Sequence, residues 1–324
     1  MKIKKKLVFI ILFIMLISSF LVLLNEGKKK DVKVYNFSVI IRGKNSEGWR
    51  IIKEGMEQAA SEMNVNIRFL TLLEENSIKE QTELIERELN DGTDAILISP
   101  TDYNAMASTI ENVRKKVPVV LFESNIETKQ NIPYISCDNY ELGQSLAEEI
   151  VRNGNTRSKV SIIKSDLNCS SINERYLGFV DEIEKSKNTY EFLELPRDEV
   201  QLYNKVREII ENNETDVIIT FEPNILESIG KAKKYVLSTN NLKYNVELYG
   251  TGSTSLIISL IEENVINSIA MQNEFNVGYL SVKASVSQIE EKSIDDSIIT
   301  STIINSRNMY SKENQRMLFP FVRW

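Results

Sequence analysis

The sequence predicts an α/β fold made of two doubly wound parallel-sheet lobes, preceded by one N-terminal transmembrane helix. From residue 34 onward, short apolar runs alternate with longer amphipathic ones, which is typical of β-α-β units and a largely parallel sheet. More than ten such runs are too many for one small sheet. An eight-fold β/α barrel with additions is the rival architecture at this length.

The N-terminus predicts a membrane anchor. Residues 7–24 contain no charge, follow lysines at positions 2, 4, 5 and 6, and precede three lysines at 28–30. As a helix they would span about 27 Å, close to the hydrocarbon thickness of a bilayer and longer than most secretory signals. Ser18 and Ser19 are followed by five large apolar residues, and no cysteine follows the run, so neither cleavage nor lipidation is expected. We therefore expect residues 1–33 to anchor and tether the chain in the cell membrane as a single-pass protein.

The remainder of the chain has the composition of an acidic, water-soluble domain. Residues 1–30 hold seven lysines and one glutamate, so the formal charge of the rest is −13 against −7 for the whole chain. The lysines on both flanks of the span favour a cytoplasmic N-terminus only weakly, and we expect the domain on the extracytoplasmic face. Such a charge argues against a nucleic-acid partner.

The chain contains no histidine, which removes several classes of chemistry. Serine and cysteine hydrolases with a histidine base cannot be built, nor can the common histidine-containing zinc sites. We predict no catalytic residues, metal site or cofactor, although carboxylate or lysine catalysis remains open. Cys137 and Cys169 are either two separate buried thiols or, in an extracytoplasmic setting, a disulfide.

The elements follow one another without a repeat or long linker. Strands are predicted at 37–41, 67–70, 95–99, 117–122, 132–136, 160–163, 191–195, 217–221, 246–249, 268–271 and 298–304. Helical periodicity predicts one helix with Trp49, Ile52, Met56 and Met63 near one face, and a second that ends at Asp91. Later helices are predicted at 140–152, 171–186, 198–212, 224–237, 254–263 and 275–291.

Five short motifs occur in an order that is specific as a set. They are a strand-turn-helix at 98–105 that turns on Pro100, a Val-Pro-Val-Val strand at 117–120, a crossover at 135–139 with Gly143, an Arg-x-x-Gly-Phe helix at 175–179, and a return segment at 272–278. Together they resemble the type I periplasmic sugar-binding proteins, which are similar to ribose-binding protein and to the effector domains of lactose-repressor-like regulators. The resemblance covers roughly residues 36–305.

The resemblance implies the domain organisation. In that family two α/β lobes are joined by three hinge strands. This places lobe one at about 36–138 and 273–301, and lobe two at about 139–272 and 302–324. The small-molecule ligand would bind between the lobes.

Candidate ligand contacts lie in the loops between a strand and the following helix, since ligands of open α/β sheets bind beyond the carboxyl ends of the strands. The loop after the first strand resembles one that supplies a polar side chain and a stacking aromatic, here Asn45 or Ser46, and Trp49. An aromatic face suits the C–H side of a sugar ring. The alternative is that Trp49 packs in the core beside Ile52 and Met56.

Three further positions follow from the resemblance. Arg175 matches the sugar-binding arginine, whose donor fork can hold two adjacent hydroxyls, although a surface salt bridge is the competing interpretation. Gln272 matches a glutamine at the lobe boundary that can donate to one hydroxyl and accept from another. Asp138 is a candidate contact that is better explained as the cap of the helix beginning at Asn139.

The sequence departs from the family pattern at several candidate positions. Glu123 and Ser124 stand where an Asp-Arg pair is usual, Glu222 and Pro223 replace Asn-Asp, and Gly252 lacks the expected aspartate. Glu274 stands where a proline is usual. Glu123, Ser124 and Glu222 can still accept hydroxyl hydrogen bonds, and the carboxylates can pair with a cationic group.

These observations predict a membrane-tethered solute-binding protein that closes on a small carbohydrate-like ligand, not an enzyme. Its partner would be an ABC-type permease, for import, or a sensor histidine kinase, in which case the protein is a ligand-sensing co-receptor without transport. Two remote alternatives are a glycoside hydrolase that uses Glu123 and Glu222 as a carboxylate pair, and a transcription regulator, which would need a DNA-binding head where the apolar run stands.

Overall fold

The computed structural model describes residues 13, 15–18, 33–44, 46–163, 167–196, 198–239, 246–294 and 299–320. Most of the predicted anchor at 7–24 lies outside the described residues. Within the described part, no helix is long and apolar enough to cross a membrane. From residue 36 onward the described residues form one compact unit, which holds both sheets below apart from Tyr35, the first residue of the first strand.

The first sheet has five parallel strands in the order β2-β1-β3-β4-β5. Its central strands are fully buried and apolar because helices cover both faces. The elements of this half of the chain are β1 (Tyr35–Ile40), α1 (Glu47–Met63), β2 (Val65–Leu70), α2 (Ile78–Asn90), β3 (Ala95–Ile98), α3 (Ala107–Arg114), β4 (Val119–Phe122) and β5 (Tyr134–Ile135).

The second sheet has six strands in the order β11-β10-β9-β8-β6-β7, and β11 alone runs antiparallel to its neighbour. Its elements are α4 (Asn139–Arg152), β6 (Lys159–Ile163), α5 (Ser170–Ile183), β7 (Thr189–Leu193), α6 (Glu199–Glu211), β8 (Val217–Thr220), α7 (Pro223–Thr239), β9 (Glu247–Thr251), α8 (Ser255–Glu262), β10 (Ser268–Gln272), α9 (Glu274–Ile289), β11 (Ser301–Ile304) and α10 (Lys312–Leu318).

Both sheets are open and share one winding order, in which the first strand of each lies between the second and the third. The prediction of two doubly wound lobes is confirmed, and the barrel alternative is excluded because an open sheet has free edges. Each of the eleven predicted strands overlaps an observed one. The short helix α10 was not predicted; it begins after Ser311, whose hydroxyl accepts a hydrogen bond from the backbone N–H of Asn314.

Two pairs of helices approach so closely that only glycine fits between them. A methyl group built on Gly143 of α4 would lie 2.0 Å from the carbonyl oxygen of Arg175 in α5. One built on Gly278 of α9 would lie 1.9 Å from the carbonyl oxygen of Ile52 in α1. Both distances are far inside van der Waals contact. These glycines therefore fix where α5 presents Arg175 and where the chain, after leaving β10, returns to pack against α1 of the first sheet.

Cys137 and Cys169 are both buried and both free. The Cys169 sulfur lies 3.3 Å from the hydroxyl of Ser171 and 3.5 Å from that of Ser124. Of the two alternatives left open by the sequence, separate thiols describe the structure.

Candidate ligand-binding site

A cavity of about 300 Å³ lies at the carboxyl ends of the strands, between segments that follow strands of both sheets. Its position agrees with the rule for open α/β sheets. Six of the nine sequence-predicted contacts line it: Ser46, Trp49, Glu123, Arg175, Glu222 and Gln272.

The other three predicted contacts do not line the cavity in the described structure. Asn45 lies outside the described residues. Ser124 is buried beneath the wall, where its hydroxyl lies 3.1 Å from that of Ser170. Asp138 caps α4 by accepting a hydrogen bond of 2.8 Å from the backbone N–H of Glu141. The structure therefore favours a packing role for Ser124 and the capping role for Asp138.

Glu123 forms one corner of the cavity, and its carboxylate accepts hydrogen bonds from side chains of the protein itself. Its Oε2 accepts from Arg42 Nε at 3.1 Å and from the Ser99 hydroxyl at 2.9 Å. Its Oε1 accepts from Arg42 Nη2 at 3.4 Å and from the Ser171 hydroxyl at 2.8 Å. A carboxylate has about four acceptor positions. All are therefore used within the protein.

The surroundings of Glu123 stabilise its charged form. Burial alone raises the pKa of this carboxyl, but the positive charges of Arg42 and Arg175, with hydrogen bonds from Arg42 and Ser171, lower its pKa to about 2. A general acid in glycoside hydrolysis needs a raised pKa. Glu123 is therefore unsuited to that role.

Arg175 presents its donor fork to the cavity. Its side chain is held by one hydrogen bond of 2.8 Å from Nε to the Asn139 amide oxygen, and the residue is 8% exposed. Among the described residues, no acceptor lies within hydrogen-bond distance of its two Nη atoms. A buried guanidinium with two unused nitrogens can hold adjacent hydroxyls or a carboxylate of a ligand.

Gln272, the last residue of β10, contacts the crossover after β5 through its amide oxygen and borders the cavity. Its amide oxygen accepts from the backbone N–H of Cys137 at 3.1 Å and from the Ser136 hydroxyl at 3.4 Å. These bonds connect the crossover after β5 to the end of β10. Its amide nitrogen has no partner in the described part of the chain, so it can donate to a ligand in the cavity.

The position of Trp49 agrees in part with both interpretations, ligand stacking and core packing. The ring lines the cavity and is only partly buried. Its edge packs against Phe122, with centroids 6.3 Å apart and planes at 89°, and the Arg42 guanidinium lies 5.8 Å from its centroid. The ring is therefore held by core packing on one side while another part borders the cavity.

Two departures from the family pattern are neighbours in space. Gly252 has φ +120°, and a methyl group built there would lie 2.7 Å from Pro223 Cβ. An aspartate at position 252 would therefore be strained and would collide with the proline ring. The proline beside Glu222 is therefore compatible with the glycine at position 252 and not with an aspartate there.

Several lining residues were missed by the sequence interpretation, although they obey the same strand-end rule. Arg42 follows β1, Ser253 and Thr254 follow β9, and Glu274 begins α9 two residues after β10. The signal for them is the run of polar residues that follows each strand, which by itself does not show which of those residues face the cavity.

Glu274 forms a second acidic corner that differs from the first. The Ser253 hydroxyl donates to its Oε2 at 2.9 Å. Burial raises the pKa of Glu274 to about 7, against the lowering effect of the Ser253 hydrogen bond and the Arg175 charge, while the Glu123 charge adds to the rise.

Residues 37–293 match the family described as Periplasmic binding protein domain. The match covers more than half of the chain. The chain belongs to this family, and its predicted likeness to the type I periplasmic sugar-binding proteins is confirmed. Members of the family bind solutes and are not enzymes, as the sequence predicted for this chain.

Individual relatives are more distant. The ribose import binding protein RbsB of Bacillus subtilis is 26% identical over 156 residues, 48% of this chain and 50% of that protein, so the match spans about half of the relative's length. A carbohydrate transporter solute-binding protein from Agrobacterium radiobacter, solved with D-arabinose, superposes with a TM-score of 0.79 at 18% identity, covering 89% of this chain and 100% of that one. The XylFII-LytSN complex contains a chain with a TM-score of 0.75 at 22% identity, covering 85% and 99%.

Proposed function

We propose that this member of the periplasmic binding protein domain family is a receptor for a small carbohydrate-like ligand, bound in the cavity between its two sheets. The observation that carries the proposal is the Arg175 fork, buried at the cavity wall with no acceptor among the described residues for either Nη atom. The Gln272 amide nitrogen and the Trp49 ring line the same cavity. Paired donors beside an aromatic ring are the groups that recognise a polyhydroxylated ring.

Contacts between the two halves suggest how the receptor works. The Ser171 hydroxyl, carried by α5 beside the second sheet, donates to Glu123, which follows β4 of the first. The Ser255 hydroxyl of α8 donates to Glu47 of α1. A ligand that touches both halves would favour this closed arrangement over an open one by the difference between its affinities for the two.

We propose that the partner that recognises the ligand-bound form is an ABC-type permease. This rests on the ribose import function named for the Bacillus subtilis relative and on the transporter origin of the Agrobacterium protein. A second candidate is a membrane sensor kinase, favoured by the likeness to a chain solved in the XylFII-LytSN complex. Affinity purification of the tagged chain from membranes separates the two: recovered permease and ATPase subunits support import, and a histidine kinase supports sensing.

We also propose that the chain stays in the cell membrane through residues 7–24, with the ligand-binding domain on the extracytoplasmic face. The support is the uncharged eighteen-residue run without a cleavage motif. Intact mass of the protein extracted from membranes tests it. A mature form that begins between residues 19 and 33 would contradict the anchor.

The carbohydrate proposal is tested by calorimetric titration of the full-length protein in detergent with a broad panel of pentoses and hexoses, both neutral and charged. Saturable binding of at least one sugar, abolished by excess of the same sugar added beforehand, is the expected result. Absence of binding across a broad panel would contradict a carbohydrate ligand.

A further inference from the structure

The described lining of the cavity has a large excess of negative charge. It contains six glutamates, two arginines and no lysine, and the chain contains no histidine that could add positive charge. One glutamate and one arginine form the Glu123–Arg42 ion pair at 3.1 Å. After this pair, Arg175 is the remaining cation among the described lining residues.

Two of the lining carboxylates each accept a hydrogen bond from a hydroxyl and have no ion-pair partner among the described residues. Glu274 accepts from Ser253, and Glu227 accepts from Thr254. Within the described residues, no lysine or arginine lies at ion-pair distance from either. Carboxylates in a cavity without a paired cation are compensated incompletely, because a hydroxyl dipole offsets less charge than a guanidinium or an ammonium does.

The raised pKa of Glu274 supports this description of the charge. Burial is its largest cause, and the groups that bear on it are Ser253, Arg175 and Glu123. The Arg175 charge is too weak there to hold the carboxyl ionised at an ordinary pKa. A cation placed in the cavity beside Glu274 would reverse this balance.

We propose that the ligand is an amino sugar, a polyhydroxylated ring that carries a protonated amine. This rests on the proposed carbohydrate function and adds a charge to it. The Nη atoms of Arg175 would hold ring hydroxyls, and the ammonium would lie against Glu227 and Glu274. Arg175 is independent evidence for a ligand, since the residue is more than nine-tenths buried and its two Nη atoms have no acceptor among the described residues.

The test is a calorimetric panel on the full-length protein in detergent near pH 6.5. D-glucosamine and D-galactosamine are compared with D-glucose and D-galactose, with the neutral N-acetyl-D-glucosamine and the anionic D-glucuronate. Spermidine serves as a cation that is not a sugar. An ammonium that gains charge-assisted hydrogen bonds should bind about tenfold to a hundredfold tighter than the matching hydroxyl.

Variants locate the amine. Glu227→Gln and Glu274→Gln, alone and together, keep the size of each side chain and its acceptor oxygen, so they should fold while reducing the amine preference. Glu57→Gln removes the same charge from the exposed face of α1 and should leave the preference unchanged. Melting curves of each variant confirm that it is folded at the titration temperature.

The outcomes separate this inference from the proposed function. Neutral sugars that bind as tightly as their amino counterparts would overturn the amine while leaving the carbohydrate receptor intact. Spermidine binding that depends on Glu227 and Glu274, without binding of any sugar, would overturn both the carbohydrate function and the amino sugar. The site would then bind a cation that is not a sugar. Amine preference that survives both substitutions, or tighter binding of D-glucuronate, would overturn the placement argued here.

Discussion

Glu123 and Glu274 lie in the wall of one cavity, yet their pKa values move in opposite directions. Burial raises both. At Glu123 the Arg42 and Arg175 charges and two donor side chains outweigh burial, and the pKa falls to about 2. At Glu274 burial outweighs the Ser253 hydroxyl and the Arg175 charge, and the pKa rises to about 7. The direct guanidinium contact makes the difference.

The two corners therefore have different expected tasks. The Glu123 corner is occupied by the protein itself, because Arg42, Ser99 and Ser171 fill its acceptor positions. The Glu274 corner, with Arg175 nearby, has capacity left for a ligand. We expect changes at the first corner to affect stability most and changes at the second to affect binding.

The largest expected effect is loss of the ion pair at the first corner. Arg42→Ala leaves the Glu123 carboxylate buried without its cation, and breaking a buried pair costs about 3 kcal/mol or more of the free energy of unfolding. Urea denaturation monitored by circular dichroism measures it. Arg50→Ala is the matched control, since Arg50 pairs with Glu54 at 3.0 Å on the surface, and we expect it to cost about 0.5 kcal/mol or less. Equal losses in the two variants would mean that the buried Arg42–Glu123 pair contributes no more to stability than a surface pair, and would contradict the stabilising role given to the first corner.

The second prediction concerns pH. Because the pKa of Glu274 is higher in the folded protein than its usual value, the carboxyl favours the folded state most when protonated, and its contribution declines as pH rises from about 4.5 through 7. The stability of Glu274→Gln relative to the wild type should therefore increase by about 2 kcal/mol between pH 5 and pH 8. For Glu123 the sign is reversed, and its contribution is lost as pH falls from about 4.5 toward 2.

Denaturation curves of wild type and Glu274→Gln at both pH values measure this difference. Glu57→Gln, which neutralises an exposed carboxylate on α1, controls for the general loss of one negative charge. A constant offset between wild type and Glu274→Gln at pH 5 and pH 8 would mean that Glu274 titrates normally.

The fold could be predicted almost completely from the sequence, while the site could be predicted only in part. Strand runs such as Ala95–Ile98 and Val217–Thr220 are continuous and apolar because both faces of each sheet are covered, so the signal is local. The helix α10 was missed because its signal is a single capping serine.

The site depends on directions that sequence does not encode. Glu123 and Ser124 are consecutive, yet one faces the cavity and the other is buried against Ser170. Glu123 adopts φ +63°, the left-handed region, which redirects the chain at that point. The pairing of Arg42 with Glu123, 81 positions apart, depends equally on the three-dimensional fold.

The third prediction addresses the binding corner. Arg175→Ala removes two charge-assisted donors from the ligand, so affinity for the tightest-binding sugar of the panel should fall by at least tenfold, or about 1.4 kcal/mol. Titration calorimetry of the variant beside wild type measures it, with melting curves as a folding control. Unchanged affinity would place the ligand elsewhere.

The smallest expected effect lies at Trp49, the tryptophan of the cavity wall. Trp49 and Trp324 are the two tryptophans of the chain. A ligand against Trp49 should change the intrinsic fluorescence, and Trp49→Phe should remove most of that change while weakening binding by about 0.5–1 kcal/mol. Trp324→Phe is the matched control and should keep the change. Full affinity in Trp49→Ala would assign the ring to core packing alone.

The most direct test of the difference between the corners is a crystal structure of the full-length protein with its tightest-binding sugar. We expect ligand oxygens within hydrogen-bond distance of both Arg175 Nη atoms, while Glu123 keeps its bonds to Arg42, Ser99 and Ser171. A ligand held by the Glu123 carboxylate, with Arg175 turned away from it, would contradict the account.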